Sequence, residues 1–240
     1  MSSGKPKCYG MRHRGFGDSL ALFAAAHIFS QITGEPTHAY CWDAFRYLAD
    51  YFDGVVWHDP NQLADFEVHD SGIEPYDYKR FNSVSWSLRN MTKSEVAPDS
   101  DIHMNIGRDP HPDAISIVPV GNINGAIGVK TLEAMLARSR ILFPNYPYRL
   151  IGHCYPIEQY KSLIDQYHVA DERTDDRTCH VVMAQLRKSA LLICPHTGPT
   201  FAAIGLNVPV YCERSKNRNH DYLLDLGPGR VTFFDGSDQV

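Results

Sequence analysis

The chain is 240 residues long, 43% hydrophobic and 11% aromatic, with a formal net charge of −5. That length allows one large domain or two small ones with an ample core, and that composition excludes an intrinsically disordered chain. Residues 1–114 hold 10 Lys+Arg against 16 Asp+Glu and the remainder is nearly balanced, so the acidic half offers no general attraction to nucleic acid and the neutral half suits a phosphate-bearing ligand.

Cys8–Met11 is apolar enough for a first strand and runs into Arg12–His13–Arg14–Gly15–Phe16–Gly17–Asp18. The glycines permit a tight turn and close approach of a ligand to the backbone, and a helix starting near Asp18 adds its positive end. Arg12 and Arg14 are placed to offset a phosphate's charge. The run is not a dinucleotide fingerprint, because its third glycine position is Leu20. Asp18 also fits a helix cap or first turn, where an acid is favoured anyway, and the residues alone favour that role over a catalytic one.

From Ser19 to Ile32 apolar residues recur at three- and four-residue spacings, which predicts a mostly buried helix closed by Gly34 and Pro36. Thr37–Trp42 and Gly54–His58 read as strands around a helical Ala44–Tyr51, the alternation of a parallel α/β sheet. Residues 74–114 are less regular. Ile102–Ile106 is expected as a closing strand there, and Asp109–Pro110–His111–Pro112–Asp113 as an interdomain linker, since each X-Pro pair disfavours helix.

A second α/β series follows. The strand Ile115–Val118 leads into Pro119–Val120–Gly121–Asn122 and then Lys130–Thr131 at a helix start, a strand, glycine loop and lysine that together resemble a phosphate cradle. A solvated lysine beside a flexible loop accounts for the same residues. Thr131–Arg140, Ile157–Tyr167 and Cys179–Lys188 read as helices and Tyr148–Ile151 as a strand. Ala190–Ile193 reads as a buried strand, Thr197–Gly198–Pro199 as a turn, Phe201–Leu206 as a close-packed helix and Val208–Tyr211 as the next strand. That junction gathers backbone N–H groups and a helix dipole near His196 and Thr197, which favours an anion such as a diphosphate. An ordinary βα turn fits the motif as well. The tail after Arg230 is expected to cross back to the first domain.

The six cysteines are scattered without a CxxC pair and read as reduced, in a cytoplasmic protein. Twelve histidines show no H-x-x-x-H or H-E-x-x-H spacing, so no metal site is expected. There is no G-x-S-x-G elbow. No apolar run approaches membrane-spanning length, and no secretory h-region follows Lys5 and Lys7.

Taken together, the glycine junctions resemble those of the ADP-heptose:lipopolysaccharide heptosyltransferases, a family of B-type glycosyltransferases. Gly15–Phe16–Gly17–Asp18 with Leu20, Leu22 and Ala24–Ala26 matches the family's first-strand turn, and Pro119–Gly121 with Lys130 loosely matches its second-domain loop. Thr197–Gly198–Pro199 through Asn207–Val208–Pro209–Val210 reproduces the spacing of its strongest motif. His196, Phe201 and Asn207 stand where that family usually has Asp, His and Gly.

The resemblance implies an α/β fold of two Rossmann-like domains with a cleft between them: residues 1–110 on the acceptor side and 114–240 binding the nucleotide sugar. It implies transfer of a sugar to an acceptor hydroxyl of a glycan or glycolipid, with no metal and no cofactor beyond the donor. Asp18 would be the general base. Gly17, Gly121, Asn122, Lys130, His196, Thr197, Gly198 and Pro199 would bind the donor, and Arg12 and Arg14 would contact phosphate or acceptor. Rival readings keep the donor site and change the rest: a phage-type enzyme glycosylating a DNA base, with Lys79, Arg80, Arg89 and Lys93 as a local basic patch; a sugar-nucleotide epimerase; or a non-catalytic nucleotide-sugar-binding protein.

Overall fold

The computed structural model describes residues 4–10, 15–70, 83–93, 102–121, 125–175, 179–214 and 231–234. The described residues up to Ile106 pack as one unit and those from Gly107 onward as a second.

The first unit opens with β1 (Lys7–Gly10) and α1 (Phe16–Thr33). The run Leu20–Ala26 is buried on every side of the helix, which is why α1 carries no polar stripe along its first turns. Gly34 ends it in the left-handed conformation, φ 73°, with its N–H donated to the Ser30 carbonyl, a backbone turn that glycine adopts without strain. Then come β2 (Thr37–Tyr40), a 3₁₀ stretch over Asp43–Tyr51, β3 (Val55–His58), β4 (Glu67–Asp70) and α2 (Ser83–Thr92). The sheet order is β3-β2-β1-β4 with every pair parallel. On one face His38 and His58 meet at 2.8 Å between Nδ1 and Nε2, with Phe66 against both rings.

One expectation for this unit is corrected, and two elements had no reading in the sequence. Ile102–Ile106 is not a strand: Ile102 is buried, but the Asn105 N–H is donated to the Tyr51 carbonyl, outside any sheet. The fourth strand is β4, whose only aliphatic residue, Val68, is itself exposed, so it carries no hydrophobic signal. Helix α2 was hidden by its serines, two of which, Ser85 and Ser87, are buried with Val84, Trp86 and Leu88.

The second unit contains β5 (Ala114–Ile117), a hairpin of β6 (Val120–Gly121) and β7 (Gly125–Ala126), α3 (Val129–Leu142), β8 (Tyr148–Leu150), α4 (Lys161–Tyr167) and β9 (Ala170–Asp171). It continues with α5 (His180–Arg187), β10 (Ser189–Pro195), α6 (Gly198–Gly205), β11 (Val210–Glu213) and β12 (Val231–Phe234). The main sheet runs β12-β11-β10-β5-β8-β9, all parallel. Leaving out the hairpin, that is the doubly wound order, and the winding reverses between β5 and β10, where ligands bind beyond the strands' carboxyl ends. All seven residues of β10 are buried, as a central parallel strand covered on both faces requires.

The tail expected to return to the first domain does not do so over Val231–Phe234. That segment pairs with β11, and Phe234 packs edge-on against Tyr211 at 5.8 Å. The stretch Asp109–Asp113, read as a linker, is fastened within the second unit: the Asp109 and Asp113 amides are donated to the Arg187 and Lys188 carbonyls at 2.7 and 2.8 Å. A buried cation stabilises the sheet beside it. Arg149, 6% exposed, donates to Ser116 Oγ (3.0 Å) and to the Gln185 carbonyl (2.7 Å), and pairs with Asp113 at 3.0 Å. All six cysteines are free and five are buried. Burial pushes the Cys8 and Cys41 thiols up to about 12, so neither is a nucleophile at neutral pH.

Candidate functional site

The site is built at the winding reversal of the second unit, from the loops that leave β5 and β10. After β10 the chain passes His196, which is 6% exposed with its ring 5.9 Å from that of Phe201, and turns into α6 with Thr197 as N-cap. Thr197 is extended, φ −153°, the conformation an N-cap needs. Its N–H is donated to Thr200 Oγ1 at 3.2 Å, and the Thr200 N–H is donated to the Thr197 carbonyl at 3.0 Å. Pro199 has no N–H.

The helix end therefore holds fewer backbone donors than the motif alone suggests. Of residues 197 to 200, Gly198 carries the amide left for a ligand. The first turn of α6 contains no acid, and neither does the first turn of α3, so neither helix sets a carboxylate of its own against its positive end.

The loop after β5 closes on this turn. A Cβ built on Gly121 would stand 3.2 Å from Thr197 Cβ and 3.3 Å from Pro195 Cγ, so only glycine lets the hairpin lie this close. The hairpin is held at its base by the Ile127 N–H, donated to the Pro119 carbonyl at 2.9 Å. Tyr160, 1% exposed, donates its hydroxyl to the Ile127 carbonyl at 2.6 Å. Burial, supplemented by the Glu213 carboxylate, holds this hydroxyl above the ordinary tyrosine range, so it stays protonated as a donor. Three residues beyond Ile127, Lys130 is exposed in the first turn of α3, which starts from the N-cap Gly128.

Sequence reasoning thus brings Gly121, His196, Thr197, Gly198 and Pro199 to one place. It missed Tyr160, whose helix looks like ordinary scaffold, and Glu213, which register places beside Pro195 at the carboxyl edge of the sheet. A carboxylate ending a strand was the available signal. Arg12, Arg14 and Asn122 lie outside the described residues.

Gly17 and Asp18 belong to the first unit. Gly17 is buried in the first turn of α1 and Asp18 is half-buried. Asp18 Oδ2 accepts the Gly15 N–H at 3.1 Å, the reciprocal arm of a helix capping box. Among the described residues no group of three or more His, Cys, Asp or Glu side chains could hold a metal ion, and no helix is long and apolar enough to cross a membrane.

No protein-family model matches the chain, and no curated protein sequence does. Solved structures do. A family 9 glycosyltransferase from Veillonella parvula superposes with a TM-score of 0.70 at 10% identity, over 100% of this chain and 90% of its own. The E. coli heptosyltransferase WaaC, solved with ADP, gives 0.67 at 12% identity over 96% of this chain and 94% of its own. The iron-containing dodecameric glycosyltransferase TibC from enterotoxigenic E. coli gives 0.63 at 14% identity, over 87% of this chain and 58% of its own. The chain therefore has the mixed α/β fold of these glycosyltransferases, with parallel sheets flanked by helices.

Proposed function

We propose that the protein is a glycosyltransferase that moves a sugar from a nucleotide-sugar donor to an acceptor hydroxyl of a glycan or glycolipid. The observation that carries this reading is the close seating of Gly121 on Thr197 at the winding reversal, beside two helix starts without acids. That WaaC is solved with ADP supports a nucleoside diphosphate as the group held there.

In this reading the Gly198 amide, Thr197 and Lys130 take the diphosphate, with Asn122 on the same loop and His196 behind the turn. Positive charge fixed where negative charge develops lowers the barrier without reorganisation. The acceptor oxygen bonds to the anomeric carbon as the bond from that carbon to the diphosphate breaks. The diphosphate departs with the electron pair, and Asp18 takes the acceptor's proton. Gly17 contributes to donor binding, and Arg12 and Arg14 contact phosphate or acceptor. The lysine and helix ends do the electrostatic work, so the reaction proceeds without a divalent metal, in the cytoplasm where nucleotide sugars are made.

One observation favours a second reading. Asp18 already caps its own helix through Gly15, as a purely structural acid would, and a protein that binds a nucleotide sugar without transferring it would look the same. Donor turnover separates the two. A panel of nucleotide sugars is incubated with wild type and Asp18→Asn, in EDTA and in magnesium, and followed by mass spectrometry. Metal-independent release of nucleotide from one donor, lost in the variant, supports the transferase. Tight binding with no release in the presence of glycan acceptors supports the binding protein, and no binding of any donor overturns both.

A further inference from the structure

The winding of the first unit's sheet reverses between β1 and β4, and a half-open cavity of about 200 Å³ lies there, closed on its other side by α2. It shares no residue with the donor or catalytic assignments above. Its sheet wall includes Tyr9 and Asp70, next to last in β1 and last in β4. It therefore stands by the carboxyl ends of two strands at a switch point, where parallel α/β sheets take their ligands. The Tyr9 ring is braced by two neighbours: it stacks on His69 at 5.3 Å and meets Phe29 edge-on at 5.7 Å, while His69 pairs with Glu67 at 3.1 Å. The helix wall is unsatisfied. Ser87 is 1% exposed, and neither its hydroxyl nor the buried amide nitrogen of Asn90 has a hydrogen-bond partner. The two lie three residues apart on α2, and so on one face of the helix. Buried polar groups without partners are costly and uncommon in native proteins. Two of them lining one cavity call for a guest that supplies the missing bonds.

The lining also says what kind of guest. Asn90 Nδ2 and the exposed Lys93 ammonium only donate, and the Ser87 hydroxyl donates or accepts. Asp70, the carboxylate in the wall, does not stand free, so no carboxylate waits for a guest's proton. A carbonyl oxygen has two lone pairs and no proton of its own, and it answers these donors without adding an unsatisfied one. An anion would accept as well, but beside the Asp70 carboxylate and towards the negative end of α2. A neutral carbonyl escapes both. Tyr9, Val68 and Met91 border the donors with apolar surface, which suits a methyl group joined to that carbonyl. Resting on the reading that the acceptor is a glycan, we infer that this cavity takes the acetamido group of an N-acetylated sugar in it, the carbonyl oxygen accepting from Asn90 and Ser87. The open mouth leaves the rest of the acceptor unrestricted.

The test uses the full chain with methyl-labelled methionine and no nucleotide sugar. The Met91 methyl resonance, assigned with Met91→Leu, is followed by NMR during titration with the methyl glycosides of N-acetylglucosamine and N-acetylgalactosamine, and with those of glucose and galactose. Sodium acetate and N-acetylglycine methylamide are titrated in parallel, as an anion and as a peptide carrying the same carbonyl. One acetamido glycoside should shift the resonance to saturation in the millimolar range, and its parent hexoside should bind at least tenfold more weakly. Ser87→Ala and Asn90→Leu should each weaken the acetamido glycoside roughly tenfold, the loss of one hydrogen bond. Ser87→Ala removes an unpartnered buried hydroxyl and should melt no lower than wild type, so its lost binding could not be blamed on unfolding. Equal binding of the parent hexosides, a response to acetate alone, tighter binding of the peptide, or no response would each overturn the proposal. So would acetamido binding that both variants leave unchanged. Donor turnover with no Met91 shift sinks this inference alone, whereas acetamido binding without donor turnover sinks the transferase and leaves the cavity as a glycan site.

Discussion

Gly121 approaches Thr197 so closely that a single added methyl would stand 3.2 Å from Thr197 Cβ. Gly121 lies in β6, after β5, and Thr197 follows β10, and their contact joins the two loops on which donor binding is proposed to rest.

Gly121→Ala should therefore push the hairpin outward by a few tenths of an ångström, and Gly121→Val further, at about 1–3 kcal/mol of overpacking. Calorimetric titration with a nucleoside diphosphate should show affinity roughly 3–10-fold weaker for alanine and weaker still for valine. Unchanged affinity in the valine variant would put the diphosphate elsewhere.

Tyr160 should behave as a positioning residue. Tyr160→Phe leaves the Ile127 carbonyl without its 2.6 Å donor, at about 1–3 kcal/mol. A domain of this size then melts several degrees lower, and the diphosphate dissociation constant should rise with it. If stability falls and the dissociation constant does not, the hairpin's position is irrelevant to binding.

The two roles suggested for Asp18 come apart in a pair of variants. Asp18→Asn keeps an acceptor for the Gly15 N–H and Asp18→Ala does not. Alanine alone should lose about 1 kcal/mol of stability, whereas both should lose roughly 10²–10⁴ in turnover if the carboxylate is the base. Equal turnover in wild type and asparagine variant would leave Asp18 as a cap.

The paired histidines predict a pH response. Burial first, then the neighbouring His38, holds His58 below its ordinary value, so the folded first unit prefers it neutral. A depressed pKa contributes stability that is present above the unfolded value, near 6.5, and is lost as pH falls through the folded one. Thermal midpoints should drop between pH 7.5 and pH 5.5, and His58→Gln should flatten that drop. A His58→Gln profile as steep as wild type would assign the acid sensitivity to other groups.

Arg149 tests the core of the second unit. Its guanidinium serves Ser116, the Gln185 carbonyl and Asp113 together, a fan of donors that an ammonium cannot reproduce. Arg149→Lys should cost about 2–4 kcal/mol in urea unfolding, more than an exposed arginine. A loss under about 0.5 kcal/mol would mean the network is solvated.

Strong hydrophobic runs were legible as elements: Leu20–Ala26 as a buried helix, Ala190–Ile193 as a central strand. Weak elements were not. Glu67–Asp70 pairs with β1 through its backbone and the stacking of His69 on Tyr9, and neither leaves a trace in the hydrophobic pattern. The Thr197–Gly198–Pro199 turn was readable because glycine and proline have fixed conformational meanings. How many of its amides remain for a ligand was not, since that depends on the Thr200 hydroxyl turning back to Thr197. Tyr160 was invisible for a similar reason: its role lies in which carbonyl it reaches.

The pairing of Val231–Phe234 with β11 has a consequence for handling the protein. A chain stopped short of Val231 would leave β11 with a bare row of amides and carbonyls beside an uncovered Tyr211. Such an open margin recruits strands from other molecules. Shortened versions should therefore accumulate as aggregates, and a tag is better placed where it does not compete with this last strand for its partner.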